Sequence, residues 1–187
     1  MNAQSNVVCR KEKSVVPSLL PTGIDGIPLH PLVVHLVVVL VPAAAFTVLV
    51  SVIWPAARER LGWITPGLAS SAAISVPIAE SSGESLIEEV QVSAQTATHA
   101  ELAEGLLPWV AGLALWSVAL YVWGLRVRGG TGIAGIPRRL VAVVLITGAI
   151  VFSAGSTVQV VRIGESGARS VWTDAAAVRF AGNEVIR

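Results

Sequence analysis

A single cysteine, Cys9, stands among 187 residues, so neither an internal disulfide nor a thiolate metal cluster can form. Charge is scarce too: Asp, Glu, Lys and Arg make up 13% of the chain, against roughly 25% in an ordinary soluble domain. What charge there is nearly cancels, at +1, so the basic excess of a nucleic-acid binder is missing. Disorder needs low hydrophobicity, whereas 53% of these residues are hydrophobic and mean hydropathy is +0.72. Tyr occurs once and Phe three times, against six Trp, a residue that favours membrane–water interfaces. These shortages leave one class, an integral membrane protein.

Four nearly uncharged runs come close to the roughly 20 residues that cross a hydrocarbon core. They predict spans at 31–54, 61–80, 105–125 and 140–161. The expected fold is all-α, a four-helix transmembrane bundle over residues 26–172, with a flexible N-terminal tail (1–25) and a C-terminal tail (173–187). Span two is the weakest, because Ser70, Ser71 and Ser75 dilute it and Pro66 and Pro77 can bend it. Span three carries Trp109, Trp116 and Trp123 at steps of seven, close to one helix face. Span four is rich in small residues (Gly148, Ala149, Ser153, Ala154, Gly155 and Ser156), which allow close helix–helix contact. No internal repeat stands out, and the segment before Pro31 lacks the apolar core of a secretory signal peptide.

Basic residues set the orientation. The loop after span one holds Arg58 and Arg60, and the loop after span three holds Arg126, Arg128, Arg138 and Arg139. The loop after span two has no Lys or Arg but carries Glu80, Glu84, Glu88, Glu89, Glu101 and Glu104. Under the positive-inside rule the arginine loops are cytoplasmic. Both termini and the glutamate loop are then external, in a bacterial inner membrane.

This topology gathers every histidine and most acids at one membrane face. His30 and His35 open span one, Glu80 and Glu84 close span two, His99 and Glu101 precede span three, and Glu165 follows span four. Ionisable groups at membrane depth are costly and are functional candidates by default. His30 and His35 are five residues apart, about 7.5 Å of rise and roughly 140° of turn on a helix, so they do not flank one small ion. Pairing one of them with His99 across the bundle is easier, and His35, deeper in the span, is the better candidate. Two imidazoles on facing helices suit haem b, since bundle cores commonly host such cofactors. They equally suit a purely structural role as packed, hydrogen-bonded residues.

The glutamates also read two ways. Glu80, Glu84 and Glu88 recur every four residues on one helical face, either as a solvated surface or as a row whose repulsion a cation relieves. Glu80, Glu84, His99 and Glu101 together suit iron, manganese or zinc, although the Glu-x-x-His spacing of di-iron bundles is absent. Proton relay is a third use of such carboxylates. Ser166 lacks a nucleophile motif, and the glycines of 129–135 lack a phosphate-loop pattern. No constellation for hydrolysis or group transfer is visible.

The opening Gly26-Ile-Pro-Leu-His30-Pro-Leu-Val-Val-His35 runs straight into an apolar span. Ser82-Gly-Glu84, Glu88-Glu89, His99-Ala-Glu101-Leu and Gly164-Glu-Ser-Gly-Ala168 before Val171-Trp172 follow. This series resembles a bacterial membrane-protein family known only as domain of unknown function 2231. The resemblance implies a four-helix membrane domain and no particular activity. The family's closing motif commonly reads Gly-His-Ser-Gly-Ala, so here Glu165 replaces a potential imidazole ligand.

The leading expectation is a small redox-associated membrane protein binding haem b or a transition metal near its outer face. Candidate cofactor ligands are His30, His35 and His99, and candidate metal ligands are Glu80, Glu84, His99, Glu101 and Glu165. Its surroundings would be the lipid bilayer, with a membrane redox partner or a second copy, and no nucleic acid. The rival expectation is a non-catalytic subunit or interaction module that docks a partner on its polar outer face.

Overall fold

The computed structural model describes residues 23–24, 27–89, 94–130 and 135–184; Cys9 and the rest of the tail before residue 23 lie outside them. A two-rung antiparallel ladder, β1 (Gly23–Ile24) and β2 (Ile27–Pro28), leads into α1 (Leu29–Ile53). Then come α2 (Pro55–Leu61), α3 (Ile64–Glu89), α4 (Ala94–Glu104), α5 (Leu107–Arg128) and α6 (Arg138–Glu184). Beyond the ladder the fold is all-α, a membrane helical bundle.

The helix breaks have local causes. Pro31 occupies the first turn of α1, where its missing N–H costs nothing. Trp54 ends that helix in an extended conformation, φ −122° and ψ 101°, as expected for a residue preceding a proline. The short α2 stops at Gly62, whose φ of +47° favours glycine, and the chain then bends by 68° into α3. Span three is broken near its N-terminal end. The Leu106 N–H donates to the Ala103 carbonyl three residues back, and Pro108 supplies no N–H at all. The Leu102 carbonyl freed by this tightened turn accepts from Gln159 Nε2 of α6 at 2.7 Å. Gln159, the one strongly polar side chain within span four, thus serves the backbone of its neighbour.

Three helical stretches are long and apolar enough to cross a membrane: His30–Ile53, Ala97–Arg128 and Arg138–Arg169. A fourth, through α3, qualifies together with the bent α2. With 26 residues, α3 is about 39 Å long, which exceeds a core about 30 Å thick. At 47 residues, α6 reaches about 70 Å, so its helix continues to Glu184, into the segment expected to be a C-terminal tail.

The helices form a closed ring. α1 packs on α3 and α6, α5 packs on α3 and α6, and α1 barely touches α5. Val41, Ala44, Val48, Ala69, Ala72, Val110, Leu113 and Ala149 fill the centre, fully or almost fully buried. Val39, Phe46, Ile74 and Leu115 point outward and are largely exposed, the apolar exterior that a bilayer solvates. The tryptophan stripe and the small-residue stripe find each other. Trp109 lies against Gly155, Trp116 against Gly148, and Phe152 returns the contact against Gly112. The Phe152 ring centroid is 6.3 Å from Trp109 and 5.2 Å from Trp116. Van der Waals packing of this kind associates helices where apolar burial gives no driving force.

Candidate functional site

At the end of the ring opposite Arg58, Arg60, Arg126, Arg128, Arg138 and Arg139, the helices part around a cavity of about 190 Å³. Its floor is one apolar residue from each wall: Val37 of α1, Val76 of α3, Leu106 at the head of α5 and Val160 of α6. Above the floor, His30, Glu80, Glu84, His99 and Glu104 line the walls, with no Lys or Arg among the lining residues. The convergence expected from topology therefore holds for four of the candidates: His30, His99, Glu80 and Glu84.

Hydrogen bonding fixes both imidazoles the same way. His30 Nδ1 lies 3.1 Å from the Ala79 carbonyl and 3.2 Å from Ser82 Oγ. A carbonyl only accepts, so Nδ1 carries the hydrogen. His99 Nδ1 lies 2.9 Å from Ser166 Oγ, and Ser166 donates its one hydrogen to the Ile163 carbonyl at 2.8 Å. The serine oxygen therefore accepts from His99 Nδ1–H. In the neutral form of each ring, Nε2 is then the unprotonated nitrogen.

Both rings are half-buried, and each lies against a glycine: a Cβ at Gly83 would come within 2.9 Å of His30 Cε1, and one at Gly167 within 3.1 Å of His99 Cε1. Ser82, Gly83, Ser166 and Gly167 thus seat the two imidazoles, a placement that charge and spacing alone did not mark.

Glu80 is the other unusual group. Its Oε1 is buried without a hydrogen-bond partner, and its electrostatic neighbours are the like-charged Glu104 and Glu84. Glu104, absent from the expected ligands, is thus part of the site.

The remaining candidates are elsewhere. His35 is exposed and its Nδ1 donates to the Pro31 carbonyl of its own helix. The helix turn that separates it from His30 keeps it off the cavity wall, so the shallower histidine is the one that faces His99. Glu101 is exposed and does not line the cavity. Glu165 is exposed and pairs with Arg169 at 3.8 Å. The Glu88 side chain lies outside the described residues. Among the described residues no three His, Cys, Asp or Glu side chains already converge on a point that an ion could occupy.

The model of a family described as a predicted membrane protein, DUF2231, matches residues 26–179. The chain belongs to this family. Neither a curated protein nor a solved structure matches it. The His30-to-His35 opening, the Ser82-Gly-Glu84 segment and the Ser166-Gly167 step all lie within the DUF2231 match. Three of the residues in these motifs, Ser82, Ser166 and His30, take part in the two hydrogen-bonded mounts.

Proposed function

We propose that this DUF2231 protein binds a transition-metal cation at the outer end of its bundle, between His30 and His99, in a redox-associated role. The observation that carries this reading is the pair of imidazoles with Nδ1–H tied down and Nε2 left free. Metal-ligating histidines are held in this way, their second nitrogen donating to a carbonyl or another fixed acceptor. Glu80 supplies the opposite charge, and its unpartnered oxygen becomes a third donor on side-chain rotation. Imidazole with carboxylate suits iron, manganese or zinc, and water completes the coordination shell.

Haem b, which needs only the two imidazoles, is less well supported. The cavity is small, and Glu80, Glu84 and Glu104 line it, where they would repel haem propionates. The arginine-bearing ends sit opposite the cavity, which supports an external site in a bacterial inner membrane with both termini outside. A membrane redox partner or a second copy would approach the same face.

The test is elemental analysis and a visible spectrum of detergent-purified protein grown with ample iron and haem. About one metal per chain is expected in the wild type, with loss in His30→Ala and in His99→Ala and weakened retention in Glu80→Gln. A Soret band would replace the ion by haem. A colourless, metal-free wild type would overturn the reading and leave the docking module in its place.

A further inference from the structure

We infer that the bundle is a tandem pair of one helical hairpin whose pseudo-two-fold axis runs through the cavity. On this inference Ser82–Gly83 and Ser166–Gly167 are matched positioning residues that impose the same tautomer on His30 and His99. A shift of 69 positions carries His30 onto His99 and the buried Val37, Val41, Ala44 and Val48 onto Leu106, Val110, Leu113 and Ser117, also buried. A shift of 84 carries the buried Thr65, Ala69, Ala72 and Val76 onto Ala149, Ser153, Ser156 and Val160, again all buried. The same shift carries Ser82–Gly83 onto Ser166–Gly167. The two shifts differ by 15 positions because α5 and α6 run further past the matched segments than α1 and α3 do.

The contacts follow the same operation. Exchanging α1 with α5 and α3 with α6 maps each packed pair of the ring onto another packed pair. Within the site, Ser82 Oγ donates to the Ala79 carbonyl at 2.9 Å and Ser166 Oγ to the Ile163 carbonyl at 2.8 Å. Ala79 and Ile163 are themselves related by the shift of 84. Each imidazole then binds its serine from the first helix of its own hairpin. Parallel repeats of this kind have their axis along the membrane normal and carry sites at the repeat interface.

The symmetry is broken by charge. Glu80 falls opposite Gly164, and Glu84 opposite Ala168. The imidazole pair is therefore the duplicated element, whereas no cavity carboxylate has a counterpart, since Glu104 of the second hairpin falls opposite His35. For a ligand this means one cation on the axis, held by two equivalent Nε2 donors, a consequence that rests on the metal reading proposed above; the mounts themselves rest on the hydrogen bonds.

The experiment is ¹⁵N imidazole NMR on full-length His35→Gln protein in detergent, which leaves only the two site histidines. Both should show protonated Nδ1 and bare Nε2. Gly83→Ala should move only the His30 resonances and Gly167→Ala only those of His99, with Gly164→Ala, which meets nothing within 4 Å, as the folding control. Ser166→Ala should free His99 and lower affinity for added Zn(II) roughly 10–100-fold, the usual cost of removing an outer-shell partner, and Ser166→Thr should restore it. Unlike tautomers, or a glycine variant that moves the wrong ring, would overturn the paired mount even if Zn(II) binds. Matched tautomers with no Zn(II) binding would uphold the mount and reject the metal.

Discussion

Replacing Gly148 with alanine tests how α5 and α6 are held together. A Cβ at this position would lie 1.9 Å from Trp116 Nε1 and 2.0 Å from its Cε2, where real contacts do not fall below 3.0 Å. The indole or the helix must therefore move by about 1 Å, using the overpacking rule that small-to-large changes are relieved by backbone or rotamer shifts. Trp116 has little room to yield, because Phe152 packs on it at 5.2 Å and is itself seated on Gly112. Overpacking costs typically 1–3 kcal/mol, and a blocked escape places Gly148→Ala at the upper end, about 2–3 kcal/mol. Gly155→Ala should behave alike, since its Cβ would meet Trp109 Cε3 at 2.1 Å. Gly164→Ala, facing open space, should be neutral or stabilise by up to about 1 kcal/mol through helix propensity. The assay is denaturant unfolding in mild detergent followed by tryptophan fluorescence. A Gly148→Ala protein as stable as the wild type would refute the seating of Trp116 on Gly148.

Two further outcomes are expected. Reporter fusions after Arg60 and after Arg128 should read cytoplasmic, and fusions after Arg187 external, by the positive-inside rule; an internal reading for the C-terminus would place the cavity on the cytoplasmic side. Gln159→Leu should destabilise by about 1–3 kcal/mol, the cost of leaving a buried partner unsatisfied, because the Leu102 carbonyl at the α4–α5 break loses its donor; unchanged unfolding would mean that water serves this carbonyl instead.

The apolar runs made α1, α5 and the first half of α6 legible, because a bilayer demands length and hydrophobicity and little else. The break at Leu106 was signalled only by Pro108, and its repair by Gln159 depends on which helices are neighbours. The seven-residue step of Trp109 and Trp116 and the small residues of span four were each visible, but the antiparallel register that seats one on the other was not. At the site, topology alone brought His30, His99, Glu80 and Glu84 to one end. Depth favoured His35, whereas the turn of roughly 140° between the two puts only one of them on the cavity wall, and that one is His30. Glu104 passed unnoticed as one acid of a crowded loop. The repeat escaped because so few identities survive: His30 with His99 and Ser82–Gly83 with Ser166–Gly167 are among them, while core positions exchange valine for leucine or alanine for serine.

The central claim is that His30 and His99 share one metal ion through Nε2. X-ray absorption at the zinc edge of Zn(II)-loaded protein tests it most directly. Two nitrogen neighbours at about 2.0–2.1 Å, with the outer-shell scattering of two imidazoles and oxygen donors filling the remaining positions, is the result expected. In His99→Ala, and likewise in His30→Ala, the zinc should be lost or keep the scattering of one ring at most. A spectrum with oxygen neighbours only, or one that neither substitution changes, would contradict the account.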